Sequence, residues 1–133
     1  MVGLGMSSIS DSWYGFAQNV KSVEEYQNIV GEGKIPIFRG HLLNDEDLIL
    51  RKHILNLMCH FKTSWKNEAE QTPMLFKGLE LMNELEKDEL VRIENNELSV
   101  SEKGKIFIRN ICMCLDARML RNKPTTAIFS QTI

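Results

Sequence analysis

Between Asn44 and about Lys62 the chain carries a helix that is apolar around much of its circumference, and a helix of that kind has to be surrounded. Leu50, Ile54, Leu57, Met58 and Phe61 recur at helical spacing on one stripe, and Leu48, Leu55 and Cys59 widen it. Asn44 supplies the cap. Asp45, Glu46 and Asp47 fill the first turn, where the positive end of the helix favours carboxylates. The rest of the chain is therefore expected to pack around this segment. With 133 residues and 43% hydrophobic content, there is enough apolar surface for one real core.

Charge excludes some classes. Charged residues make up 26% of the chain and the net charge is −2, which fits neither a disordered chain nor a strong overall nucleic-acid field. No run of about 18 apolar residues exists, so no membrane span is expected. Met1-Val2-Gly3-Leu4-Gly5-Met6 lacks a basic region followed by an apolar stretch, so a signal peptide is not expected. Three cysteines make a poor disulfide framework, and a reducing cytoplasm suits them better.

Local signals place the remaining elements. Residues 1–19, with Gly3, Gly5, Gly15 and four serines, read as one strand and the loop leaving it. A lone strand needs ladder partners, either within the domain or in a part of a longer protein. Ser22-Val23-Glu24-Glu25 is a capping-box pattern opening a short helix that ends near Gly31 or Gly33. Pro36 forces an extended stretch through Ile37, Phe38 and Arg39. Thr72-Pro73 caps a helix carrying Leu75, Leu79, Met82 and Leu85 to about Lys87. Leu90–Ile93 and Leu98–Val100 alternate as strands around a turn at residues 94–97. A last long helix runs to about Leu120, with Ile108, Ile111, Cys112, Leu115 and Met119 on one face, and Lys123-Pro124 stops it. The expected fold is mainly α with a small β-hairpin: a winged-helix-like helical domain with an extra C-terminal helix.

The chemistry-bearing residues are sparse. Cys112 and Cys114 look like a metal pair, but on a regular helix they diverge by about 200°. Cys59-His60 matches no standard zinc spacing, so buried cysteines acting as small apolar fillers are the better reading and no metal site is expected. His53 and His60 lie about 10 Å apart along one helix and cannot share an ion. His41 has no evident partner. No nucleophile–base arrangement and no phosphate loop stand out. A winged helix invites a DNA-binding reading, yet residues 72–100 carry three basic against seven acidic side chains, a balance of −4 that repels phosphate. Residues 103–123 are basic, with a local +5, which fits a solvated face or a face that meets carboxylates.

Several segments share an order. Arg109-Asn-Ile-Cys-Met-Cys-Leu-Asp116, the closing Phe129-Ser130 with Ile133, Gly3-Leu-Gly-Met-Ser-Ser-Ile-Ser10, Phe38-Arg39-Gly40 and Ile54–Phe61 together resemble the C-terminal domain of oxygen-independent coproporphyrinogen III oxidase. The resemblance spans essentially the whole chain. It implies a radical enzyme in which a [4Fe-4S] cluster cleaves S-adenosylmethionine and two propionates of coproporphyrinogen III become vinyls, giving protoporphyrinogen IX in haem biosynthesis. The chain lacks the family's Cys-x3-Cys-x2-Cys motif. It is therefore expected to be a fragment without activity or cofactor of its own, whose partner is the missing N-terminal radical barrel.

On that resemblance, residues 1–19 are a remnant of the barrel's end and a linker, and 20–133 form a lid over the chamber, protecting a radical from solvent. Ile9 matches a family isoleucine lining a second S-adenosylmethionine site. On the same resemblance, Arg39 and Arg109 are expected to pair with substrate propionates. No catalytic residue is expected, nor binding to nucleic acid or membrane. The alternatives are a winged-helix DNA-binding module and a protein-interaction module docking through the basic helix.

Overall fold

The computed structural model describes residues 1–121 and falls into two compact units, residues 1–48 and residues from Ile49 onward. The boundary falls inside the helix that follows Asn44.

The first unit is a three-stranded antiparallel sheet with one helix. Strands β1 (Ile9–Ser12), β2 (Gly15–Asn19) and β3 (Ile37–Leu42) lie in the order β1-β2-β3, and helix α1 (Val23–Gly31) connects β2 to β3. Ser22 caps α1 by accepting the Glu25 N–H at 3.3 Å. The first 19 residues thus hold two strands rather than one, and their ladder partners lie within this unit. Pro36 marks the entry of β3 as expected, and its carbonyl accepts the Val20 N–H at 2.9 Å. Val20 alone among the apolar side chains of residues 1–48 is buried.

The second unit holds the core. Helix α2 (Asp45–His60) is capped reciprocally: Asn44 Oδ1 accepts the Asp47 N–H at 2.8 Å, and Asp47 Oδ2 accepts the Asn44 N–H at 3.1 Å. Phe61, in the left-handed region at φ 57°, ends α2 and turns the chain into strand β4 (Lys62–Ser64). Helices α3 (Pro73–Leu81) and α4 (Asn83–Lys87) follow, and Thr72 caps α3 through the Leu75 N–H. Strands β5 (Val91–Glu94) and β6 (Glu97–Val100) form a hairpin whose two turn residues, Asn95 and Asn96, both adopt positive φ, as a type I′ turn requires. Sheet order is β4-β6-β5. Leu57, Leu75, Met82, Leu98, Ile111 and Leu115 are almost fully buried together.

Three expectations are corrected. The helical content is there, in six α-helices among the described residues, but it stands beside two small antiparallel sheets rather than one hairpin, a mixed α/β architecture. The helix expected to about Lys87 breaks at Met82. The last long helix is three pieces: a 3-10 turn at Gly104–Phe107, α5 (Ile108–Met113) and α6 (Ala117–Arg121). Close packing explains the last break. A Cβ at Gly78 of α3 would lie 2.5 Å from the Cys114 carbonyl oxygen, so the chain after α5 runs hard against α3. The expected stop at Lys123-Pro124 and the tail motif Phe129-Ser130 with Ile133 lie outside the described residues.

Candidate functional site

The Gly3–Ser10 segment is wired to β2 by one buried side chain. The Asn19 amide nitrogen lies 3.2 Å from the Gly3 carbonyl, 2.9 Å from the Gly5 carbonyl and 3.0 Å from Ser8 Oγ. The Gly5 N–H donates to the Tyr26 hydroxyl at 3.0 Å, and Ser8 Oγ–H donates to the Gly5 carbonyl at 2.7 Å. Gly5 adopts φ +94°, which glycine tolerates without strain, and a Cβ at Gly3 would lie 2.7 Å from the Ile9 carbonyl oxygen. The glycines therefore let the loop fold back on its own strand. Ile9 leaves this loop half exposed, at 51%.

Strand register assembles the rest. Residues directly opposite one another in a sheet share a face. Ile9 pairs with Gln18 and Gln18 with Arg39; Asp11 pairs with Phe16 and Phe16 with His41. Two rows, Ile9–Gln18–Arg39 and Asp11–Phe16–His41, therefore lie on one face. A hollow of about 390 Å³ opens there, lined by Ile9, Phe16, Gln18, Arg39 and His41 over Ala17 and Gly40.

The polar groups in it are oriented. The Arg39 Nε–H donates to Gln18 Oε1 at 2.9 Å, which fixes the guanidinium plane and leaves its terminal amino groups as the edge that suits a carboxylate. His41 turns Nε2 inward, 3.7 Å from Asp47 Oδ2, while its side chain stays 39% exposed. That nitrogen is buried without a hydrogen bond. Asp47, itself buried, also accepts the Asn44 N–H in the reciprocal cap of α2.

Of the expected site residues, the structure brings Ile9 and Arg39 into one hollow. Arg109 is exposed on α5 of the second unit and is not among the residues lining it. Phe16, Gln18 and His41 were not singled out as site residues from sequence, because their relation to Arg39 exists only through strand pairing. The alternation of β2 and β3 was the available signal.

The Arg109–Asp116 run is differently built than expected. Asp116 lies between α5 and α6 rather than within one long helix with Arg109. Its Oδ1 accepts the N–H groups of Arg118 at 3.1 Å and Met119 at 2.9 Å, so it caps α6. Cys112 is buried, and its burial pushes the thiol up to about 11; Cys114 is half-buried and also raised, chiefly by burial. These are protonated packing groups. Among the described residues no cluster of three His, Cys, Asp or Glu is arranged to hold a metal ion.

His53 is a fixed structural group. Its Nε2 lies 2.7 Å from the Glu70 carbonyl, which can only accept, so Nε2 carries the proton; Nδ1 then accepts from the Thr63 hydroxyl at 2.7 Å. Burial lowers its affinity for a second proton.

No protein-family model matches the chain. The chain is 36% identical over 138 residues to the oxygen-independent coproporphyrinogen III oxidase of Salmonella typhimurium, which covers 100% of this chain and 30% of that protein. The Escherichia coli enzyme of the same name is 35% identical and that of Synechocystis sp. 34%, each with the same coverage. Among solved structures, the coproporphyrinogen III oxidase HemN from Escherichia coli, described as a radical SAM enzyme, superposes with a TM-score of 0.76 at 33% identity, covering 88% of this chain and 28% of that one. The chain thus spans about a third of the length of the relatives it matches.

Proposed function

Because the chain corresponds over its whole length to the C-terminal part of oxygen-independent coproporphyrinogen III oxidase, we propose that it serves as that part of an anaerobic coproporphyrinogen III dehydrogenase. It covers the chamber where a catalytic barrel works, and it is inactive alone. The observation that carries this reading is the alignment, which runs through 100% of the chain at 36% identity. In this reading Ile9 lines a second S-adenosylmethionine site, supported by the Gly3–Ser8 loop that Asn19 holds and the hollow beside it. Arg39 meets a propionate of the substrate. Arg109 is proposed, independently of that hollow, to pair with a substrate propionate.

The cysteines present do not fit a [4Fe-4S] cluster. Cys112 is buried in the core, Cys114 is half-buried and Cys59 is exposed on α2. The cluster is accordingly assigned to the barrel. We further propose a winged-helix-like arrangement for the second unit, supported by the order α2-β4-α3-α4-β5-β6 and the sheet order β4-β6-β5. Its use for DNA is disfavoured by the acidic residues 72–100. Among the described residues no helix is long and apolar enough to cross a membrane, and the free cysteines suit a reducing cytoplasm.

Association tests the reading. The Escherichia coli enzyme is truncated to remove its matching C-terminal part and titrated with this chain in sedimentation velocity. A one-to-one complex is expected. Two species that sediment independently at tens of micromolar contradict the lid role.

A further inference from the structure

The two units are held together by different means. Among the described residues, the buried apolar cluster runs from Leu50 to Ala117 and takes no side chain from residues 1–48. The first unit has Val20 as its one buried apolar side chain. Helix α1 buries no residue, so it does not shield the sheet. Ile35 and Leu42 are 78% and 83% exposed, and Tyr14 and Phe38 stand exposed with them.

Ordering a chain costs conformational entropy, which buried apolar surface normally offsets. A three-stranded sheet holds by itself only when it buries an apolar face or packs against a helix. The first unit does neither. Its shape comes from polar bonds instead: the strand ladders, the Ser22 cap and the Asn19 amide. Such bonds fix geometry, but water competes for them, so their net stabilisation is small. The apolar surface that would supply the rest is present and faces outward.

Alignment says what covers it. The match takes up 30% of the Salmonella typhimurium enzyme and lies in its C-terminal part, so the larger share of that polypeptide precedes it. A body tethered to the first unit meets it at high effective concentration, which a free second copy does not. We infer that the first unit is a docking element, marginally folded in this chain by itself and firmly ordered once its exposed apolar side chains, Tyr14, Phe38 and Leu42 among them, pack on the preceding catalytic part of the enzyme. This rests on the reading of the chain as the C-terminal part of a coproporphyrinogen dehydrogenase. It adds which unit docks, and that docking completes its folding.

Hydrogen exchange read by mass spectrometry tests this, on the 133-residue chain by itself and with the Escherichia coli enzyme lacking its matching part. In the chain by itself, amides of β1–β3 are expected to be slowed no more than about a hundredfold, and those of β5 and β6 at least about a hundredfold further. With the truncated enzyme, β1–β3 should slow by at least about another tenfold while β5 and β6 stay as they were. Phe38→Ser with Leu42→Ser should leave exchange in the chain by itself nearly unchanged, since both side chains are exposed there, and weaken the complex at least about tenfold. Equal protection of the two sheets in the chain by itself overturns the proposal, as does undiminished affinity of the double variant. Protection of β1–β3 that rises with the concentration of the chain by itself assigns the surface to a second copy and overturns it too. If a complex forms and only the second unit slows, the docking assignment falls and the reading of function stands. If β1–β3 slow as stated and a grafted enzyme makes no product, the reading of function falls and the docking assignment stands. Absence of any complex overturns both.

Discussion

Single side chains decide several local structures here, and their effects are separable. His53 ties α2 to β4 and to the turn at Glu68–Glu70 in its neutral form. In the unfolded chain the imidazole protonates near pH 6.5, and in the folded chain only at lower pH. Below about pH 6.5 the unfolded state therefore holds more protons, and stability falls as pH drops toward the lowered folded value. Urea midpoints are expected to hold steady from pH 8 to 7 and to decline below 6.5; His53→Gln should blunt that decline. A decline identical in the two proteins assigns it elsewhere. Asp116→Ala removes the cap of α6 and is expected to cost about 1 kcal/mol, against near-neutral Asp116→Asn or Asp116→Ser. Equal loss for alanine and serine contradicts the capping role.

Elements show where the sequence was legible. Caps at Ser22, Asn44 and Thr72 were readable because each is a local side chain-to-backbone bond. The apolar stripe of α2 predicted a surrounded helix; Leu50 and Leu57 are buried in the core, but Leu55 and Met58 are 40% and 42% exposed and Cys59 is exposed, so the helix is covered on one face only. Breaks were not readable. The 101–120 periodicity is continuous, yet the chain is interrupted where Gly78 admits the Cys114 carbonyl, a contact set by tertiary packing rather than propensity. Gly78→Ala is therefore expected to cost about 1–3 kcal/mol although alanine favours helix, since backbone and the Leu115 side chain must shift. Thermal unfolding checks the sign; a stabilised variant refutes the close approach. β4 was missed because three residues carry no periodicity; it exists through pairing with β6. The candidate site was half legible for the same reason. Ile9 and Arg39 sit in recognisable segments, but only strand register sets Gln18 and His41 beside them.

At the scale of the molecule, the first unit is the unusual part. It carries an ordered loop locked by Asn19, yet Trp13, Tyr14, Phe16, Ile37 and Phe38 remain exposed. Surfaces of that kind mark contact with another body, and the aligned relatives are more than three times as long as this chain. Asn19→Ala removes the amide that binds Gly3 and Gly5. Hydrogen exchange is expected to quicken at Gly5 and Ser7 while the second unit stays protected; uniform quickening contradicts a local clamp. The central claim is tested most directly by grafting this chain in place of the matching C-terminal part of the Escherichia coli enzyme and measuring anaerobic conversion of coproporphyrinogen III. Protoporphyrinogen IX is expected from the graft and none from the truncated enzyme. A soluble graft with its cluster loaded and no product, beside an active native enzyme, contradicts it.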